Sequence, residues 1–238
     1  MKKSVATVLV AAILFIFPSC EKVIGEGPVV TETRSVSNFT GISSEMSGKV
    51  NFSIAPNFKV EITAQQNIID VVQTNVVGGV LHIDFKNGIW VRKHEDLTIN
   101  ITAPVADYFR LSGSGNMDVI GDLLANNLQL KMSGSGNINV QKAVIAAKID
   151  ADVSGSGNIK IINGSAINED LKISGSGKID FGSLAAENGN AKITGSGDIR
   201  VVLSKNLDAT ITGSGSVYYH GNPIITTKIT GSGRVMPF

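Results

Sequence analysis

The side chains best suited to chemistry are few and scattered in this chain. Its three histidines, His82, His94 and His220, lie far apart, and none has a second ligand at metal spacing. Cys20 is the only cysteine, so an intramolecular disulfide is excluded and a soft-metal site is not expected. The recurring Gly-Ser-Gly could be mistaken for part of a phosphate loop, but the third glycine and the following helix are missing. No cofactor is expected. Acid–base catalysis would need carboxylates or bases gathered on one face. When the repeats described below are aligned, Asp150 and Asp208 take equivalent outward places with Asp170 beside them. A neighbouring column holds Asp118, Asn139, Lys160, Asp180 and Arg200. Mixed signs of this kind suit a solvated face, since like charges stacked directly would be destabilising.

Two groups of residues suit recognition rather than catalysis. The first is a column made of Arg110, Lys131, Asp152, Lys172, Lys192, Thr210 and Lys228, each one residue before the apolar position that precedes a repeat motif. Five of the seven are basic, so stacking would draw them into a stripe able to attract an acidic glycan or an anionic protein surface. The blander reading, favoured here, is a soluble strand face whose charge is offset by acids in adjacent columns. The second group is Gly88-Ile89-Trp90-Val91-Arg92-Lys93-His94-Glu95-Asp96, which holds the only tryptophan beside Arg92 and Lys93. An exposed Trp–Arg cluster would suit binding to a sugar or protein. The favoured expectation is that Trp90 plugs the N-terminal core.

These side chains have to be positioned by repeats. Ser/Thr-Gly-Ser-Gly begins at Ser112, Ser133, Ser154, Ser174, Thr194, Thr212 and Thr230, at intervals of 21, 21, 20, 20, 18 and 18 residues. A period in that range marks a solenoid, each repeat being one coil stacked on the last. Before each motif runs an alternation such as Leu128-x-Leu130-x-Met132, and after it another such as Ile138-x-Val140. Period two with β-branched inward residues reads as a strand with one buried face. Each repeat is thus strand, glycine corner, strand and a variable return, with serines of successive corners stacked as hydroxyl ladders about 4.8 Å apart.

A flexible Gly/Ser linker is excluded because each Gly-Ser segment is only four residues long and is bracketed by strands. A propeller would repeat every 40 residues or so, and a calcium-binding roll would need aspartates at fixed places. Intervals of 20 and 21 do not fit a left-handed helix of hexapeptides. The expected fold is all-β, a right-handed parallel β-helix with 18–21-residue coils.

The ends divide the chain further. Lys2 and Lys3, an apolar run from Val5 to Phe17, and Pro18-Ser19-Cys20 read as an export signal too short to span a bilayer comfortably. Phe17 to Cys20 resembles the lipobox of bacterial lipoproteins, which implies lipidation at Cys20. The expected organisation is a signal peptide at 1–19, a tether at 20–34, N-terminal coils and cap at 35–110, and a seven-repeat β-helix at 111–238. Within 35–110 the first coils are expected to cap the open end, Ser47-Gly48-Lys49-Val50 looks like a decayed motif, and Gly78-Gly79 reads as a hairpin turn. No helix is expected outside the signal segment. Formal charge is +1 for the whole chain and becomes −1 once Lys2 and Lys3 are removed, so nothing points to nucleic acid.

The repeats, especially Gly-Ser-Gly-Asn followed by Met117, Ile138 or Ile159, resemble the auto-transporter adhesin head (GIN) domain family of Bacteroidetes envelope proteins over residues 35–238. The resemblance implies a β-helical fold and an adhesin role, and it carries no catalytic residues. The chain ends in a repeat strand at Phe238, so export is expected by the lipoprotein route and not through a translocator barrel. The combined expectation is a non-enzymatic lipoprotein, exported and lipid-anchored in the outer membrane or at the cell surface. Its rod would contact polysaccharide or a surface protein, and open solenoid ends would favour a homo-oligomer. The alternatives are a carbohydrate-active β-helix enzyme, which a groove gathering three or more titratable side chains would favour, and a purely structural envelope protein.

Overall fold

The computed structural model of the chain describes residues 21–238. Residues 1–20, which hold the expected signal segment and the expected lipidation site at Cys20, lie outside the described residues. Strands dominate: β1 (Glu21–Ile24), β2 (Val29–Arg34), β3 (Gly41–Ser44), β4 (Lys49–Ile54) and β5 (Lys59–Gln65) precede the one helical turn among the described residues, α1 (Gln66–Ile69). There follow β6 (Val72–Val77), β7 (Val80–Phe85), β8 (Ile89–Arg92) and β9 (Thr98–Ala103). The repeats supply β10 (Tyr108–Gly113), β11 (Asn116–Gly134), β12 (Asn137–Gly155), β13 (Asn158–Ile161), β14 (Gly164–Gly175), β15 (Lys178–Gly195) and β16 (Asp198–Gly213). The last coil is β17 (Ser216–His220), β18 (Ile224–Gly231) and β19 (Arg234–Pro237). The assembly is a β-solenoid of about 6 turns with a coil spacing of ~20 residues.

Successive repeats pair in parallel with the motifs in register, Ser133 on Ser154, Ser154 on Ser174, and Ser174 on Thr194. The corner needs both glycines, for different reasons. The first, as in Gly134 or Gly175, has φ of 115° or 126°, a left-handed setting that disfavours a Cβ. The second, as in Gly136 or Gly177, lies so close to the carbonyl oxygen of the coil before it that a Cβ has no room. The corner also keeps the ladder intact. The carbonyl of Gly113 accepts from the N–H groups of both Ser135 (2.9 Å) and Gly136 (3.1 Å), and the same double acceptance recurs coil by coil.

Each full coil carries three runs of paired residues where two strands and an irregular return are expected. In the β11–β12 pair they are 116–119, 122–125 and 127–134, separated by register shifts. The middle run gives no periodic apolar pattern because it buries little: Leu123 in one coil, Ala143 and Ile145 in the next, Ala166 in a third. The other two runs supply the continuous interior of Met117, Ile138, Ile159, Ile179 and Ile199 and of Met132, Val153, Ile173, Ile193 and Ile211. The expected hydroxyl columns stack in register but are mostly not bonded to one another, and amides at other positions form the bonded ladders. Asn158 donates to Asn137 and Asn137 to Asn116, each at 2.8 Å, while Asn206, Asn188 and Asn168 form a second ladder. Among the described residues, corner serines bond one another only at Ser114–Ser47 and Ser232–Ser214.

The N-terminal region departs from simple stacking. Strands β3 and β4 form a coil directly beneath β10 and β11, with Lys49 opposite Asn116, so Ser47-Gly48 is a motif corner with its hydroxyl intact. Beneath that coil lie β7 and β9, which come later in the chain. The cap is therefore made by residues after the first coil, together with β2, and not by the first coils themselves. It closes with antiparallel pairs, β2 on β5, β5 on β9 and β6 on β7, the last through the Gly78-Gly79 hairpin. Antiparallel strands and α1, which buries Ile68 and Ile69, end the parallel edge and cover it. Residues 21–34, expected as a tether, form β1 and β2 instead. Val23 and Val30 pack on the core, and that apolar side holds the segment down. At the other end β18 is exposed along its whole length, with Ile224 75% accessible.

Candidate functional site

The register brings the basic column together as drawn from the sequence. Arg110 pairs with Lys131, Lys131 with Asp152, Asp152 with Lys172, Lys172 with Lys192, Lys192 with Thr210, and Thr210 with Lys228. The Ser/Thr column of the motifs runs parallel to it two residues along each strand, about 6.6 Å away. Between them lies a shallow cleft of about 420 Å³, bordered by Arg110, Lys131, Lys172 and Lys192 on one side and Ser133, Ser154, Ser174 and Thr194 on the other. Met132, Val153 and Ile173 intervene. Lys172 is held by Asp170 at 3.3 Å, and Lys131 lies over the Tyr108 ring at 5.7 Å. Among the described residues, Arg110, Lys131 and Lys192 make no ion pair. The cleft thus offers cations and hydroxyls in periodic rows, with Asp152 as its one acid.

A second depression, about 430 Å³, gathers acids: Asp170 and Asp208 with Lys148, Asn188, Asn190 and Asn206. It has the number of titratable groups that an enzyme would show, and two of them, Lys148 and Asp170, are tied into ion pairs. Lys148 bridges Asp150 at 2.7 Å and Asp170 at 3.2 Å. The hydrogen bond to Asp150 above all raises its pKa, so it stays an ammonium and is a poor base. Asp170 also accepts from Lys172 and Asn190. Behind this face the side chain of Glu169 occupies an inward place between Ile149 and Gly189. It is 2% exposed, neither carboxylate oxygen has a hydrogen-bond partner, and burial raises its pKa well above the usual value. Sequence alignment of the repeats could have revealed it, since every other inward residue of that column is apolar or glycine.

Trp90 does not plug the core. It is 54% exposed on β8, which pairs in parallel with β1 as a separate two-stranded sheet, with Lys22 opposite Trp90 and Ile24 opposite Arg92. Period two explains the outcome: Val23 and Val91 take the inward side, so Trp90 and Arg92 must face out. The Arg92 guanidinium sits 4.5 Å from the Trp90 ring centre, and Lys93 follows. The structure therefore separates the predicted binding residues into two places, the basic cleft on the rod and the Trp90 flap on the cap. His82, His94 and His220 do not converge, and no trio of His, Cys, Asp or Glu suited to a metal occurs among the described residues. No helix among them is long and apolar enough to cross a membrane.

Solved structures share this architecture. A protein described as a putative adhesin from Bacteroides fragilis aligns with a TM-score of 0.85 at 25% identity, covering 91% of this chain and 100% of its own. One described as a putative adhesin from Parabacteroides merdae gives 0.74 at 25% identity, over 92% and 99%. One described as a putative lipid binding protein from Parabacteroides distasonis gives 0.77 at 24% identity, over 92% and 100%. No curated protein matches. The family described as "Putative auto-transporter adhesin, head GIN domain" matches residues 38–223, a span that runs from the cap through the stacked glycine corners. On that match this chain belongs to the auto-transporter adhesin head GIN domain family.

Proposed function

We propose that this chain is an exported envelope lipoprotein whose solenoid is a non-enzymatic binding rod, with the basic cleft as its contact surface for an acidic polysaccharide. Arg110, Lys131, Lys172 and Lys192 on stacked coils, facing a column of hydroxyls across about 420 Å³, carry the reading. A linear ligand with regularly spaced carboxylates or sulfates meets one cation every coil or two, and weak contacts add along the rod. Hydroxyls of the Ser133–Thr194 column supply hydrogen bonds to sugar oxygens. The cleft is open and holds no poised base, which favours binding over turnover. The leader-like 1–19 and Cys20 support anchoring by lipid, and the family's adhesin description supports a place at the envelope.

The test is binding of the full-length lipidated protein to immobilised acidic and neutral polysaccharides. Lys131→Glu with Lys192→Glu, both exposed and without ion-pair partners among the described residues, should weaken binding to the acidic polymers at least tenfold and flatten its salt dependence. Unchanged binding in the double variant, or equal binding to neutral polymers, would overturn the cleft as the site.

A further inference from the structure

We propose that the β1–β8 flap is a membrane-docking face that seats on the phospholipid surface and sets the angle at which the rod leaves it. The proposal rests on the lipid-anchor reading above. Its own observations concern the composition, position and rigidity of the flap.

The outward face of this small sheet is formed by Lys22, Ile24, Trp90 and Arg92, with Lys93 at its end, and these residues border a depression of about 400 Å³ that no acid lines. Three cations, an exposed tryptophan and an exposed isoleucine form a mixed apolar and cationic surface. Water solvates its apolar part poorly, and a protein core would not accept its charges. The interfacial zone of a bilayer accepts both: tryptophan concentrates at headgroup level, and basic residues are drawn to anionic lipid.

Position points the same way. Residue 20 is joined directly to Glu21, about 3.8 Å from one Cα to the next, so an acyl group on Cys20 would bring β1 to the membrane surface. The segment that follows is no slack tether, because it is tied to the cap. Asn67 of α1 donates to the Ile24 carbonyl at 2.7 Å and accepts from Glu26 N–H at 3.0 Å, while Gly25 N–H donates to the Lys93 carbonyl at 2.9 Å. A flap fixed to the cap transmits its orientation to the solenoid.

Trp90 is the only tryptophan in the chain, so its fluorescence reports this face alone. The full-length protein, purified from membranes, is reconstituted into vesicles of phosphatidylcholine with and without phosphatidylglycerol. Docking predicts blue-shifted emission, protection from aqueous iodide and quenching by brominated lipid, all stronger with the anionic lipid. Lys22→Glu with Lys93→Glu leaves the Arg92–Trp90 pair in place and should lower the ratio of docked to undocked protein about 25-fold or more, at roughly fivefold per basic residue lost. The variant must still float with the vesicles. Protein that floats while Trp90 stays open to iodide overturns the flap and leaves the anchor standing. Protein without acyl mass that fails to float overturns the anchor. The same protein added to the anionic vesicles then decides the flap: a lipid-dependent shift supports it, and no shift, or a shift produced only by a soluble sugar, overturns it.

Discussion

Replacing Gly175 by alanine would put a methyl group against the Gly155 carbonyl at a residue whose φ is 126°. Neither the strain nor the overlap can relax without opening the ladder, so a loss of about 2–4 kcal/mol is expected in denaturant unfolding. Ser156→Ala, at an exposed corner hydroxyl without a partner among the described residues, should change stability by less than about 0.5 kcal/mol. Glu169 gives a pH signature. Its pKa is raised in the folded protein, so the folded state holds a proton that the unfolded chain releases above pH of about 4.3. Stability should therefore be fullest below that pH and fall as pH rises toward the folded value. Glu169→Leu should remove that slope and stabilise the protein by about 1–3 kcal/mol at neutral pH. Parallel melts across pH check both points, and a Glu169→Leu protein with the wild-type slope would refute the assignment.

At the level of elements, the strands flanking each motif were legible because Ile, Val and Leu alternate there with polar residues. The middle run was not, because alanines and short ion-paired stretches such as Lys205–Glu187 give no periodic apolar signal. The strands of 21–34 escaped for the same reason: Gly25, Gly27 and Pro28 dominate the reading while single valines do the packing. A four-residue helix has no periodicity to detect. Amide ladders stabilise these runs further. Asn137 both donates to Asn116 and accepts from Asn158, so Asn137→Ala should cost about 1–2 kcal/mol, measurable as a shift in the denaturant midpoint. The basic column could be drawn from aligned repeats, whereas the orientation of Trp90 depended on which side of a strand Val91 would occupy.

Over the whole molecule, the solenoid has one closed end and one open end. The cap buries Ile62, Ile68, Leu81 and Ile99 and joins strands distant in the chain, so it should resist unfolding longest. The rod beyond it adds coils whose contacts are mainly with their immediate neighbours. The order of stacking in the cap was invisible in the sequence, because nothing in β3 or β7 says which will lie beneath β10. The coil spacing of ~20 residues was legible at once, because every corner repeats the same backbone requirement, but seven motifs and a decayed copy resolve into about 6 turns.

That repeated corner also makes length an inheritable variable separate from shape. Any in-frame duplication or loss running from one motif to the next restores an identical joint, since the glycine pair meets the same carbonyl wherever the break falls. Deleting residues 134–154 joins Ser133 to Gly155 and sets Asn158 above Asn116. The product should fold cooperatively with the same cap and be shorter by about 4.8 Å, as solution scattering would reveal. The gene can thus lengthen or shorten the rod by whole units without redesigning its interior, and a population of cells could vary reach while keeping one cross-section.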